Sequence, residues 1–389
     1  MPRTATARWP FVFAVTTIPP RSSVSRSATP WPKKVELLWR RLWIRVLTAL
    51  MGRARGAPDW SRGPQRVLFL RHDRIGDMIL STGVLRAIGE SHPTVALDVL
   101  ASPGNAPVLA AERYVREVVV FDRRRLRDYP ALVRRLRRAK YEAVIDCMVT
   151  APSLTTLLLM LASGARHRIG ILGRGNDAAF SVLVPQRPHV RHIAEHLATL
   201  AAAFGVDADR VETHPRLHLR AEERAAAEGR WPVAAGAPRL LVNVSAGRSF
   251  RRWPVERFVR AIDHLRARLP GLGAVVIGAP DEWDRVEAVA SGASAVPLRT
   301  AGIRDAFALV ATADLVFTPD TSIAHAASAF ARPAVAMYVP GTTERWGLYG
   351  TWGRSLESPT GELASLEVEA VLPALDELAE HWWDRPHRP

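Results

Sequence analysis

The stretch RVLFLRHDRIGDMILSTGVLRAI, residues 66–88, decides the fold. Its first apolar run, residues 67–70, is short and continuous, which is typical of a parallel strand buried on both faces. A polar loop, residues 71–76, then leads into a segment whose apolar residues recur at roughly helical spacing. The stretch therefore predicts strand, loop and helix, the opening unit of an α/β sheet. Such sheets bind ligands at the edge where the carboxyl ends of their strands lie.

Asp77 opens the predicted helix at that edge of the sheet. Gly76, directly before it, lets the backbone come close to whatever binds there. Two roles remain open for the carboxylate on these residues alone. It caps the helix by accepting backbone N–H groups, or it takes part in chemistry at the mouth of a cleft.

Short apolar runs alternate with helical segments along the chain in two halves. The runs that predict further strands are residues 95–100, 117–121 and 143–147 in the first half and 240–244, 274–277, 314–317 and 334–338 in the second. A polar segment with Pro and Gly, residues 205–238, separates them. The pattern predicts an α/β protein with two doubly wound, Rossmann-like domains that face a central cleft. The predicted divisions are a basic extension at 1–62, a first domain at 63–215, a second at 216–375 and a tail at 376–389.

The net charge of +15 is concentrated in two segments. Residues 1–66 hold thirteen Lys and Arg against two carboxylates, and residues 123–140 hold nine against one, so the rest of the chain is slightly acidic. Aromatic residues are not interleaved with the basic ones as in nucleic-acid-binding modules, so nucleic acid is not an expected partner. The single cysteine, Cys147, excludes an intramolecular disulfide and a cysteine-based zinc site, and is expected to be a small buried hydrophobe.

Residues 33–51 predict a basic amphipathic helix that carries Trp39 and Trp43. Such a helix suits the headgroup region of an anionic membrane, and it equally suits packing on the protein's own body. No apolar run reaches the eighteen residues typical of a membrane-spanning helix. We therefore expect a cytoplasmic protein, with peripheral contact at the inner face of the cytoplasmic membrane as one role for this helix.

The basic segment 123–140 predicts a helix whose buried stripe is Leu126, Leu132, Val133 and Leu136. Its arginines form either a solvated face or a docking surface for a phosphorylated acceptor. Farther along, residues 207–209 read Asp-Ala-Asp after a glycine, and no apolar strand precedes them. This pattern favours a turn over a metal-binding Asp-X-Asp motif.

Three separated motifs together resemble glycosyltransferase family 9, the ADP-heptose:lipopolysaccharide heptosyltransferase family. They are residues 74–77 after the opening strand, residues 243–254 ending in Arg-Arg-Trp-Pro, and residues 320–327 followed by Arg332-Pro333. In order and spacing the resemblance covers residues 66 to about 375. It implies a GT-B fold, a nucleotide-sugar donor that is most often ADP-heptose, and inversion at the anomeric carbon without a metal ion or other cofactor. The implied acceptor is an anionic glycolipid of the lipopolysaccharide core or a related envelope glycan.

The resemblance also implies roles for single residues. Asp77 matches the family's catalytic base, which favours a role in the chemistry over helix capping for this carboxylate. For His325 a hydrogen-bonded histidine on a packed helix remains the alternative. The other implied contacts are Arg252, Thr321, Ser322 and His325 to the donor diphosphate, Glu282, Asp320 and Ser245 to the nucleotide and its ribose, and Arg74 and Asp146 to the acceptor.

Two departures from the family pattern leave alternatives open. Ser322 stands where glycine is usual, and residues 339–343 read Val-Pro-Gly-Thr-Thr in place of Gly-Pro-Thr-Asp-Pro. A noncatalytic nucleotide-sugar-binding member of the same fold would accumulate such changes. A dinucleotide-dependent oxidoreductase would share the sheets, but the Gly-X-Gly-X-X-Gly turn is missing after residues 70, 100 and 244.

Overall fold

The computed structural model describes residues 42, 43, 46, 47, 49, 58–148, 153–174, 176–209, 212–234 and 236–384. The chain divides into two compact units, Met1–Trp43 and Ile44–Pro389. Most of the predicted helix at 33–51 lies outside the described residues. Those described within it are helical, and among them Leu47 is buried. No described helix is both long enough and apolar enough to cross a membrane.

The first sheet is built from the short apolar runs of the first half. Its strands pair in the order β3-β2-β1-β4-β5-β6, and every pairing among the described residues is parallel. The strands are β1 (Gln65–Arg71), β2 (Val95–Ala101), β3 (Val115–Val120), β4 (Ala143–Asp146), β5 (His167–Ile171) and β6 (Val182–Val184). The helices of this half are α1 (Ile75–Ser91), α2 (Tyr129–Ala139), α3 (Leu154–Ser163) and α4 (Ile193–Ala198), which continues as a 3-10 helix at Thr199–Phe204.

The second sheet repeats the arrangement, with strands in the order β12-β11-β10-β7-β8-β9. Its strands are β7 (Arg239–Asn243), β8 (Gly273–Ile277), β9 (Val296–Pro297), β10 (Leu315–Pro319), β11 (Ala334–Tyr338) and β12 (Gly353–Glu357). Its helices are α5 (Ala221–Glu228), α6 (Val255–Arg268), α7 (Trp283–Gly292), α8 (Ile303–Thr312), α9 (Ser322–Ala329), α10 (Thr343–Trp346) and α11 (Val368–Trp383).

Each sheet has the strand order of a Rossmann domain, which confirms the predicted α/β fold with two such domains. Strand order reverses between β1 and β4 in the first sheet, and between β7 and β10 in the second. Loops that leave these four strands therefore form the two switch points where ligands bind in doubly wound sheets. The predicted domain boundary at residues 215 and 216 falls between the sheets and stays a prediction.

The two sheets share one buried apolar cluster, because α1 packs against α9. Met78 and Ile79 of α1 belong to this cluster together with Ile323 and Ala327 of α9. The helix that follows β1 and the helix that follows β10 are thus held side by side. Residues at the beginnings of these two helices can act on the same molecule.

The predicted buried stripe of the basic segment is partly wrong. Leu136 is buried and Leu132 partly buried, but Leu126 is 71% exposed and Val133 is 37% exposed. Leu126 lies in a 3-10 turn before α2 and so outside the helical register. Val133 lies on the α2 surface next to the row formed by Leu132 and Leu136, and only that row faces the sheet.

Candidate functional site

The switch point of the first sheet is organised around a buried arginine. Arg71, the last residue of β1, is 1% exposed. Its Nε donates to the carbonyl of Asp77 at 3.1 Å, and its Nη1 donates to the carbonyl of Cys147, which is buried as predicted. The guanidinium also lies 3.4 Å from the Asp73 carboxylate and 3.5 Å from the Asp77 carboxylate. One cation therefore fixes the loop and both acidic side chains.

Three carboxyl groups surround this single guanidinium. Burial raises the pKa of Asp73 to about 6, against the opposing charge of Arg71 and with a further rise from Asp77. Burial likewise raises the pKa of Asp146, at the end of β4, to about 6. The Asp146 carboxylate accepts a hydrogen bond from the backbone N–H of Met148 at 2.8 Å. The cluster can therefore hold a proton close to neutral pH.

Asp77 is the third residue of α1, which begins two residues earlier than predicted. The N-cap residue is Arg74, whose side chain makes no capping hydrogen bond, so the alternative that Asp77 caps the helix is wrong. The Asp77 side chain is 16% exposed, while Arg74 lies at the surface. A carboxylate in the first turn still interacts favourably with the positive end of the helix dipole.

The switch point of the second sheet presents the N-terminus of α9. Thr321 is the N-cap, and its hydroxyl accepts from the backbone N–H of Ile323 at 3.3 Å. Asn243, at the end of β7, donates to the hydroxyls of Thr318 and Thr321 at 3.0 Å each. This network fixes the helix start at Ser322. Helix N-termini of this kind favour phosphate groups.

His325 connects the two switch points. Its ring lies against Gly76, since a Cβ atom added at Gly76 would be 2.4 Å from the His325 Cδ2 atom. Burial lowers the pKa of His325, while the charges of Asp320 and Asp77 act in the opposite direction. Its Nδ1 atom is buried and has no hydrogen-bond partner among the described residues. His325 is thus packed, but it is not the fully hydrogen-bonded histidine of the alternative interpretation.

The charged side chains predicted for the donor site are already in ion pairs. Arg252 lies 3.1 Å from Glu282, whose other carboxylate oxygen accepts from the backbone N–H of Ala246 at 3.1 Å. Asp320 lies 2.8 Å from Arg251. Arg251 is a residue that the sequence assignment missed, although it directly precedes Arg252 in the same motif. Its Nε atom is buried without a hydrogen-bond partner among the described residues.

Ser245 joins two loops of the second sheet. Its hydroxyl accepts from the backbone N–H of Ala279, in the loop after β8. The segment 339–343 is held by Glu357 of β12, whose carboxylate accepts from the backbone N–H groups of residues 341, 342 and 343 at 3.0 to 3.1 Å. In this segment, which departs from the family pattern, the backbone N–H groups are thus bound by a carboxylate of the protein itself, that of Glu357.

Two Rossmann domains whose switch points meet through Asp77, His325 and Asp320 have the architecture of a GT-B glycosyltransferase. The sequence profile of glycosyltransferase family 9 (heptosyltransferase) matches residues 129–374. The chain belongs to this family and is a glycosyltransferase, which sets aside the oxidoreductase alternative.

Related proteins agree with this assignment. Lipopolysaccharide heptosyltransferase 1 of Escherichia coli strain K12 is 24% identical over 335 residues, which cover 80% of this chain and 100% of that protein. Lipopolysaccharide heptosyltransferase 3 of Escherichia coli is 23% identical over 282 residues, 68% of this chain and 80% of that protein.

Solved structures show the same fold. The glycosyltransferase family 9 protein of Veillonella parvula superposes with a TM-score of 0.70 at 19% identity, covering 82% of this chain and 97% of that one. The heptosyltransferase WaaC of Escherichia coli, solved with ADP, gives a TM-score of 0.66 at 20% identity, covering 81% and 98%.

Proposed function

We propose that this glycosyltransferase moves a heptose from ADP-heptose to a lipopolysaccharide-core or related envelope glycan, with inversion and without a metal ion. The observation that carries the proposal is the position of His325 of the second domain, whose ring packs against Gly76, the residue directly before Asp77 in the first domain. The relatives named above support the acceptor class. An Escherichia coli WaaC structure with ADP-2-deoxy-2-fluoro heptose supports the donor class.

Asp77 is the proposed general base. It takes the proton of the acceptor hydroxyl while the oxygen's electron pair forms the new bond to the anomeric carbon. The bond from that carbon to the diphosphate breaks on the opposite face, and ADP leaves with its electron pair. Arg71 holds the Asp77 carboxylate in place through the 3.5 Å contact and through the hydrogen bond to its carbonyl.

The leaving diphosphate needs positive partners in a site without a metal ion. The N-terminus of α9, with Thr321 and Ser322, supplies oriented N–H groups. Arg251 and Arg252, in the loop after β7, supply positive charge to the diphosphate. They do so either within their ion pairs with Asp320 and Glu282 or after these pairs open. We assign the nucleotide and its ribose to Glu282, Asp320 and Ser245, and a further diphosphate contact to His325.

We place the acceptor-binding surface in the first domain, beside the loop of residues 72–74 between β1 and α1. The His72 ring contacts Phe121 edge to face at 5.9 Å, and Phe121 contacts Tyr129 at the start of α2. Burial lowers the pKa of His72, and the positive charge of Arg123 lowers it further. The basic segment 123–140 thus begins next to His72, in the loop that leads from β1 to the helix of Asp77. This position suits an anionic glycolipid presented at the inner face of the cytoplasmic membrane, with Arg74 and Asp146 as further acceptor contacts.

The test is transfer from ADP-heptose to a lipopolysaccharide-core acceptor, measured as ADP release by the full chain. Asp77→Asn should lower kcat at least about 100-fold, because a positioned base contributes that much, and should leave the Kd for ADP unchanged. Asp263→Asn, an exposed carboxylate on α6, is the matched control and should retain wild-type rates. Transfer should also persist after EDTA treatment.

Two results would contradict the proposal. Retention of transfer by Asp77→Asn would place the base elsewhere, and loss of transfer in EDTA that Mg²⁺ restores would show metal dependence. Binding of ADP without any transfer by the wild type would instead favour the noncatalytic alternative.

A further inference from the structure

A second group of positively charged side chains lies where the two domains meet. Arg174 follows β5, and Arg345 lies in α10, which follows β11. His196 belongs to α4, and its Nδ1 atom is 3.5 Å from the Nη2 atom of Arg174. The loops after β5 and β11 both leave the carboxyl edge of a parallel sheet, the edge at which doubly wound domains bind ligands.

The elements that carry the three groups are joined across the two domains, since Arg191, just before α4, pairs with Glu344 of α10 at 2.6 Å. Burial lowers the pKa of Arg174, and the charge of Arg345 lowers it further. Burial also lowers the pKa of His196, with further lowering from Arg174 and Arg345 and an opposing effect of Glu195. The two guanidinium groups are therefore partly buried and repel each other, beside an imidazole whose protonation they disfavour.

No carboxylate among the described residues pairs with either guanidinium. Asp177, the acidic residue nearest to Arg174 in the chain, accepts hydrogen bonds from the backbone N–H groups of residues 173 and 174. Glu344, beside Arg345 in the chain, pairs with Arg191 at 2.6 Å. Glu195 accepts from the backbone N–H groups of residues 191 and 192.

The two arginines also have unused donors. The Nε atoms of Arg174 and Arg345 are both buried, and neither has a hydrogen-bond partner in the part of the chain that the structure describes. Buried donors without partners cost free energy, and two adjacent guanidinium groups add electrostatic repulsion. A bound anion would relieve both costs, because guanidinium groups bind carboxylate and phosphate through paired hydrogen bonds.

We propose that Arg174, Arg345 and His196 form a binding site for a carboxylate or phosphate group of the acceptor glycan. The assignment rests on the proposed transfer reaction. His192, directly before α4, ties the site to the second domain, since its Nε2 donates to the carbonyl of Gly347, two residues beyond Arg345, at 3.1 Å. Because each domain contributes one arginine, the acidic group also holds the two domains together while the acceptor hydroxyl lies near Asp77.

The first experiment measures binding of inorganic phosphate by calorimetry with ADP at saturation, which occupies the donor diphosphate site. Arg174→Gln and Arg345→Gln should each weaken phosphate binding at least tenfold. Arg191→Gln is the matched control, because Arg191 is a neighbouring exposed arginine that already has a carboxylate partner, and it should stay within twofold of wild type. Wild-type phosphate affinity in both Arg174→Gln and Arg345→Gln would overturn the site.

The second experiment measures transfer to an acidic acceptor and to the same acceptor with its acidic groups removed. For the acidic acceptor, Arg174→Gln should raise KM about tenfold with little change in kcat, and Arg174→Lys should recover part of that loss. For the neutral acceptor, wild type and Arg174→Gln should have equal KM values. Equal KM values for the acidic acceptor would overturn the proposal even if phosphate binding is lost. Absence of any transfer by the wild type would overturn the proposed function, whereas the phosphate measurement still reports on the site.

Discussion

At the scale of single residues, the notable feature is an excess of acid around Arg71. Asp73, Asp77 and Asp146 all act on one buried guanidinium, so full ionisation of the three would leave uncompensated negative charge. Buried charge of this kind is costly, and proteins retain it where the chemistry requires it. We infer that the acidic cluster lowers the stability of the fold and is retained because it keeps a carboxylate at the reacting hydroxyl.

Asp73→Asn should therefore stabilise the protein above about pH 6. The folded-state pKa of Asp73 is raised from 3.8 to about 6, so the unfolded state releases its proton at a lower pH than the folded state does. The resulting penalty is absent below about pH 4, grows as the pH rises towards 6, and then stays constant at about 2 to 3 kcal/mol. Urea unfolding at pH 4, 6 and 8 would measure it, with Asp263→Asn as the control. A loss of stability at pH 8 in Asp73→Asn would contradict this account.

The family resemblance singles out Asp77, His325 and Asp320, and their roles stay predictions. The pairings of the site residues could not be predicted from sequence. The pairing of Asp320 with Arg251, and of Glu282 with Arg252, depends on how the loop after β7 folds back over its neighbours. No spacing rule in a single sequence gives that geometry.

At the scale of elements, strand prediction succeeded where a strand is a continuous apolar run. It missed β5, whose five residues are all buried although two of them are polar. Arg168 is accommodated there because its Nε donates to the carbonyl of Ala179 at 2.7 Å, and His167 lies 3.5 Å from Glu142. It also missed β6, β9 and β12, which are edge strands that are short or partly polar, so their sequences carry little apolar signal.

The contact between α1 and α9 gives a prediction at the same scale. In Gly76→Ala the new methyl group would be 2.4 Å from the Cδ2 atom of His325, closer than such atoms approach. Because His325 is buried, the two helices must shift, so transfer should fall at least tenfold and the Kd for ADP should rise, since α9 supplies N–H groups to the diphosphate. Steady-state kinetics and calorimetry measure the two effects. Gly104→Ala is the control, since an added methyl there meets no atom within 4 Å. Unchanged kcat in Gly76→Ala would show that this contact is not needed.

At the scale of the whole molecule, a stack of rings joins the two domains. Tyr349 lies between His192 at 4.5 Å and His214 at 5.8 Å, measured between ring centroids. The two histidines also hydrogen-bond to carbonyl groups of the second half, His192 to Gly347 and His214 to Ser328, each at 3.1 Å. Burial lowers the pKa of His192 to about 3, so this ring stays neutral at the pH of the cell.

Tyr349→Ala should loosen the domain arrangement. Removing the ring leaves the buried imidazole of His192 and the half-buried imidazole of His214 without their stacking partner, so the radius of gyration from X-ray scattering should increase and kcat should fall. Tyr349→Phe keeps the stacked ring and should behave as wild type in both measurements. An unchanged radius together with unchanged kcat in Tyr349→Ala would show that other contacts hold the domains together.

The basic N-terminal region gives the last prediction, which concerns the membrane. Trp60 stacks on Phe204 at 4.3 Å and donates to the carbonyl of Ala203 at 2.9 Å, and Leu47 is buried in an apolar cluster with Leu157. A truncation that spares the folded body must therefore remove residues 1–41 and retain Leu47 and Trp60.

If residues 1–41 contribute to membrane contact, the truncated chain should bind vesicles of anionic phospholipid more weakly in flotation while transfer to a soluble acceptor is unchanged. Neutral vesicles are the control, because the expected attraction is electrostatic and should weaken with added salt. Equal flotation of the two chains would assign membrane contact to other surfaces, of which segment 123–140, with exposed Leu126 and Val133, is the first to test.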